Sequence, residues 1–213
     1  MANTTSTVAI WPGSVGSVWG YRKELASAEP RYRLLIIPSL LGGVTGALLL
    51  EVTPAAGFER AVPFLILFAT VLLMVQETVQ RFFKTAEPGT RKSAAWLTGA
   101  MLFQFGVGVY GGYFGGGIGI LMLAALGILG MTDIHEMNSL KAVLGGAVNG
   151  IAALYFVWKG MVDWPYVVVM GIGALAGGYG GADVAHRIGR KAVRRTVIAI
   201  GWCMAIWLFY RSR

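Results

Sequence analysis

The residues able to do chemistry are few, and most lie in two neighbouring stretches. These are Tyr110-Gly-Gly-Tyr-Phe-Gly-Gly-Gly-Ile-Gly119 and Met131-Thr-Asp-Ile-His-Glu-Met-Asn-Ser-Leu-Lys141. The triplet Gly115-Gly116-Gly117 frees the backbone to take angles other residues avoid, so it breaks a helix and leaves main-chain groups without helical partners. Irregular backbone at membrane depth is tolerated only where it is buried in protein or lines a watery cavity. A broken apolar segment is also a sequence pointer to a transporter's binding site. The other reading of the glycines is close helix packing through small residues. Lys141 is the only cation near the start of its segment, and an ionisable residue inside a span points to function; the bland reading is that it snorkels to the interface. His135 with Glu136 is a candidate proton site for gradient coupling, or a pair of solvated loop residues. Two histidines, one cysteine (Cys203) and no H-E-x-x-H pattern leave no set for an intramembrane enzyme or a thiolate metal site. We expect no enzyme, no metal and no cofactor.

The elements that position these residues follow from a simple length constraint. Ser93 through Thr132 is a run of 40 residues without a charge. As one helix it would be roughly 60 Å long, about twice the hydrocarbon thickness of a bilayer, so it must break. The whole chain has 213 residues, 56% hydrophobic and 13% charged, with a mean hydropathy of +0.65. A soluble domain carries about twice that charge fraction. An integral membrane protein with several spans is expected. The net charge of +8 comes from 18 Lys+Arg against 10 Asp+Glu. These cations sit in short clusters between apolar runs, which marks cytoplasmic loops and excludes nucleic acid as a partner.

Segment A runs from Ala2 to Tyr21, with a polar start and Pro12 expected to kink it. Segment B is Leu34 to Leu50, with a Gly42-Gly-Val-Thr-Gly46 packing face, and a near-neutral loop follows from Glu51 to Arg60. Segment C is Ala61 to Gln76. The glycine-broken tract gives D, Ala94 to Tyr113, and a shorter piece D′, Ile118 to Gly130. Segment E lies between Lys141 and Lys159, after the polar lead-in His135 to Asn138. Segment F is Trp164 to Ala182, closed by Asp183, and G is Thr196 to Tyr210. The fold class is all-α: a polytopic membrane helical bundle of about seven spans plus a glycine-broken half-helix.

Three basic loops, after A, C and F, should share the cytoplasmic side. From the loop after C to the loop after F the chain must then cross an even number of times. D, E and F alone make three crossings, whereas counting D and D′ separately makes four. An internal repeat points the same way. Gly42-Gly43-x-x-Gly46-Ala47 in B matches Gly177-Gly178-x-x-Gly181-Ala182 in F, and Gly13 in A falls opposite Gly145 in E. Residues 1–92 thus read as a first repeat and 93–213 as a second, of opposite topology, within one membrane domain. The first copy lacks a partner for D and D′, which reads as a misassigned start codon or a shortened form.

The motifs quoted, with Asn3-Thr-Thr-Ser-Thr-Val-Ala-Ile-Trp-Pro-Gly-Ser14 and Gly160-Met-Val-Asp-Trp164, resemble the sulfite exporter TauE/SafE family over essentially the whole chain. The resemblance implies about eight spans in two repeats and export of sulfite or an organosulfonate across the cytoplasmic membrane. A small anion needs donors, and half-helix N-termini supply them without a fixed charge. Gly115, Gly116 and Gly117, leading into D′, suit that role, and Lys141 with Asn138 would add donors. Asn138 and Asn149 either donate to the anion or bridge helices. Thr5, Ser6 and Thr7 either cap their half-helix or donate to substrate, and Trp11 either gates or packs. The expected partners are the small anion, the lipid bilayer and a coupling ion such as a proton. The alternative is an inactive fragment or a non-transporting membrane scaffold.

Overall fold

In this computed structural model the described residues are 1–22, 34–84, 94–129, 131 and 133–211, and they form eight helices and no strand. The helices are α1 (Ala2–Gly20), α2 (Ile36–Val52), α3 (Ala55–Lys84), α4 (Ala94–Tyr113), α5 (Ile118–Ile128), α6 (Ile134–Trp158), α7 (Trp164–Ile188) and α8 (Arg190–Arg211). The all-α expectation holds, and each of the eight expected apolar segments has its helix. Two stretches, Ala55–Thr78 and Glu136–Trp158, are long and apolar enough to cross a membrane. Ile36–Val52, Ile118–Gly127 and Trp164–Gly177 are shorter apolar helices. The basic loop residues Lys23, Arg31, Arg33, Arg91 and Lys92 lie outside the described residues, as do the side chains of His135 and Asp183.

Two boundaries differ from the sequence reading. No loop separates Glu51 from Arg60: α2 runs to Val52 and α3 starts at Ala55. Thr53 is extended ahead of Pro54, as a residue before proline prefers, and Phe58 N–H already donates to the Pro54 carbonyl. Residues 135–138 are helical. The Asp133 carboxylate accepts from the Glu136 N–H, a cap that starts α6 one turn before the apolar run. Pro12 lies inside α1 without ending it.

Packing fixes the relative directions. Gly42 lies against Phe105 and Gly108, and Gly46 against Val109 and Tyr113, so α2 and α4 run parallel. Gly43 lies against Val148 and Ile151 and Glu51 meets Tyr155, so α6 is parallel to both. α1 runs against α6, with Trp11 on Gly150 and Ser14 near Gly146, and parallel to α7, with Thr5 bonded to Asp163 and Ala9 near Gly171. α3 opposes α4 through the ring pairs Phe58–Tyr113 and Phe68–Tyr110. It also opposes α8 through Phe64–Phe209 and Thr70–Gly201. Since α4 and α6 point the same way, the chain between them must return, and α5 belongs to that return.

α5 is apolar on every side and forms the centre of the core. Met122, Leu123 and Leu126 pack with Val107, Leu144 and Val148. The outer helices show the opposite pattern, with Val168, Ile172, Leu175, Ile200 and Ile206 exposed. Exposed apolar side chains on this scale belong in lipid.

The α2–α4 contact is backbone against backbone, because a Cβ on Gly42, Gly46 or Gly112 would overlap main-chain atoms of the facing helix. Gly112→Val should therefore destabilise the protein by about 1–3 kcal/mol, as overpacking does. Gly106→Ala, where a Cβ meets nothing, should be neutral or raise stability by about 0.5–1 kcal/mol. Thermal unfolding in detergent of the two variants checks this ordering.

Candidate functional site

The glycine break is built from local backbone rules. α4 ends at Tyr113, and the Phe114 and Gly115 N–H groups both donate to the Tyr110 carbonyl. Gly115 (φ +79°) and Gly117 (φ +74°) occupy the left-handed region, which costs a side-chain-bearing residue roughly 1–2 kcal/mol. Gly117 is the residue from which α5 starts. The Ile118 N–H returns to the Gly115 carbonyl and the Ile120 N–H to the Gly117 carbonyl. Among the described residues the N–H groups of Gly116, Gly117 and Gly119 have no partner.

Tyr110 holds this turn in place. Its hydroxyl donates to the Gly116 carbonyl, and its ring packs on Phe68 and Phe114. In a trans peptide the carbonyl and the following N–H point opposite ways. Anchoring the Gly116 oxygen on Tyr110 therefore aims the Gly117 N–H away from it. The break also has a defined depth. Gly117 lies beside Ala69 and Leu72, and the neighbouring Thr70 meets Gly201. Ala69 and Leu72 are close to the midpoint of α3, and Gly201 is close to that of α8.

Lys141 reaches this break. Its aliphatic stem lies over Gly119, where a Cβ would sit 3.3 Å from the lysine Cδ. The ammonium donates to Asn138 Oδ1 at 2.8 Å. Lys141 is half-buried and meets no carboxylate among the described residues. The structure thus places Lys141, bonded to Asn138, over Gly119, two residues past the break at Gly115, Gly116 and Gly117. Such a combination favours an anion.

The α1 candidates are engaged elsewhere. The Thr5 hydroxyl accepts from the Asp163 N–H at 3.1 Å, and Thr4 donates to the Met161 carbonyl. Ser6 and Thr7 donate to the Asn3 carbonyl one turn back. Asn3 itself donates to the Tyr113 carbonyl at 3.0 Å, at the last residue of α4. The Trp11 indole lies flush on Gly150 of α6. These groups bind α1 to α4 and to the 159–163 connection, and none of their bonds reaches Lys141. Near that connection, Glu51 pairs with Lys159 at 3.0 Å and accepts from the Tyr155 hydroxyl. The Glu51 carboxylate holds the Lys159 ammonium above the ordinary lysine range. The pair is exposed enough that its energetic weight is small.

Sequence reading missed Tyr110 and a second buried pair. Gln104 is fully buried and donates to Ser39 Oγ at 2.8 Å, joining α4 to α2, while its Oε1 has no partner. Its one sequence signal is that it is an amide side chain within an otherwise apolar run.

Residues 1–208 match the family model described as Sulfite exporter TauE/SafE. The chain is 25% identical to a "Probable membrane transporter protein" of Haemophilus influenzae, over 99% of this chain and 80% of that one. It is 23% identical to the "Probable membrane transporter protein YfcA" of Escherichia coli K12, over 99% of this chain and 76% of that one. No solved structure matches the chain.

Gly117→Ala tests the break by conformation alone, because a Cβ there meets only ordinary contacts at 3.4–3.5 Å. It should cost about 1–2 kcal/mol through the left-handed backbone. Denaturant or thermal unfolding of the detergent-purified variant reads this directly; a loss near zero would mean that α5 does not start from a left-handed residue.

Proposed function

This chain belongs to the sulfite exporter TauE/SafE family, and from that premise we propose that it carries a small anion, a sulfur oxyanion by default, across the cytoplasmic membrane through the glycine break. The observation that supports this reading is the half-buried Lys141 ammonium, without a carboxylate, over the first turn of α5. Burying a charge without a counter-charge is costly. A bound anion supplies that counter-charge and takes up the free N–H groups of Gly116, Gly117 and Gly119. Tyr110 and Asn138 then hold the donors in position before the anion arrives. The sulfur oxyanion follows from the family description. The transporter class also has the support of the relatives' names.

The multi-pass arrangement rests on the alternating helix directions and the basic loops. In this reading two inverted copies, residues 1–92 and 93–213, meet near the bilayer midplane. The packing of α1 on α7 mirrors that of α6 on α2, each a parallel pair, which is what such copies require. Thr5, Ser6, Thr7 and Trp11 then act at the α1 end of the pathway. A proton or another ion drives the exchange.

The experiment is uptake of labelled sulfite into inverted vesicles containing the chain. Uptake above that of empty vesicles is expected. Lys141→Met should reduce it at least tenfold, since a single ionic contact to a bound anion is worth on the order of 1.5–3 kcal/mol, while membrane insertion stays normal. No difference between wild-type and empty vesicles would overturn the transport reading and favour a non-transporting scaffold. Unchanged uptake by Lys141→Met would remove the lysine from the site.

A further inference from the structure

A second site lies where α3 and α8 cross, beyond the Thr70–Gly201 contact. A pocket of about 350 Å³ opens there, lined by Met74, Glu77, Arg194, Arg195 and Ile198. Its two arginines differ in what they hold. Arg194 is fully engaged: it pairs with Glu77 and donates to the Leu73 and Met74 carbonyls, at 3.2 Å and 2.7 Å. It fixes α8 to α3. Arg195 is exposed and has no partner among the described residues. Among the described lining residues, Glu77 faces Arg194 and the Arg195 guanidinium is left as an unbalanced positive charge on the pocket wall. The rest of the lining, Met74 and Ile198, is apolar. Around the pocket, Val71 and Val75 on α3 and Val197 on α8 are exposed, and in a membrane protein such surfaces face acyl chains.

We propose that this pocket binds the phosphate headgroup of an anionic phospholipid, with Arg195 on the phosphate and the start of an acyl chain along Met74 and Ile198. The ligand class follows from three features together. The unbalanced Arg195 calls for negative charge on the ligand. An apolar wall calls for a hydrocarbon portion on the same molecule. A position between exposed apolar helix faces places that molecule in the bilayer rather than in bulk water. Basic pockets between membrane helices bind anionic headgroups for these reasons, and a guanidinium matches phosphate oxygens with paired donors. Because Arg194 ties the same two helices together, a lipid seated on Arg195 would stiffen the α3–α8 contact.

Native mass spectrometry of the detergent-purified full chain, with dioleoyl phosphatidylglycerol and dioleoyl phosphatidylcholine offered at equal concentration, tests this. A preference for phosphatidylglycerol is expected, falling about fivefold in Arg195→Gln. Ile198→Trp, which fills the pocket and keeps both arginines, should lose the same preference and decides the matter if Arg195→Gln folds poorly. Equal retention of the two lipids by the wild type, or an unchanged preference in both variants, would overturn the proposal. Displacement of bound phosphatidylglycerol by an equal concentration of inorganic phosphate would also overturn it, by showing that the pocket recognises a free anion.

Discussion

A main-chain amide that leaves a helix in the middle of a bilayer can be satisfied only inside the protein or in a cavity that water reaches. Most of this structure follows from how the chain handles that constraint between Tyr113 and Ile118. The turn returns two N–H groups to glycine carbonyls, fixes the Gly116 oxygen on a tyrosine, and leaves three donors without a partner among the described residues. Each unsatisfied donor is expensive in a low-dielectric interior.

The surrounding helices serve that arrangement. Glycine faces on α2 and α4 bring their backbones into contact, which leaves α5 enough room to fill the core. Parallel α2, α4 and α6 hold the two sides of the break, Tyr110 on one and Lys141 on the other. α3 covers it through Ala69 and Leu72. α1 is fastened at its start by Asn3 to Tyr113, the last residue of α4, and by Thr4 and Thr5 to the 159–163 connection. The Gln104–Ser39 bond puts a polar tie inside the α2–α4 contact, where a buried amide with one free oxygen keeps the register specific at some cost in stability.

Much of this was legible in the chain. The 40-residue uncharged tract is too long for one crossing, and only its triple glycine offers a place to fold. That reasoning places the end of α4 at Tyr113 and the start of α5 at Ile118, as observed. Asn138 and Lys141 are one helical turn apart, so their bond was within reach of spacing alone. The grip of Tyr110 on Gly116 and the Gln104–Ser39 pair were not legible, because a hydroxyl or amide inside an apolar run looks the same whether it faces lipid or a partner. The α6 start was misplaced because His135 to Asn138 were read as a polar lead-in, although Asp133-x-x-Glu136 is a capping pattern. The 51–60 connection was misplaced because this near-neutral stretch was read as a loop, whereas the two helices carry Glu51, Glu59 and Arg60 on exposed or partly exposed faces.

The central claim is that Lys141 faces a water-reachable anion site at the break. With Cys203→Ser as background, a cysteine placed at position 141 can be challenged with a charged, membrane-impermeant thiosulfonate. The account predicts modification from one side of the membrane only, slowed by millimolar sulfite. A cysteine that stays unmodified from both sides, or reacts at a rate sulfite does not change, would contradict it.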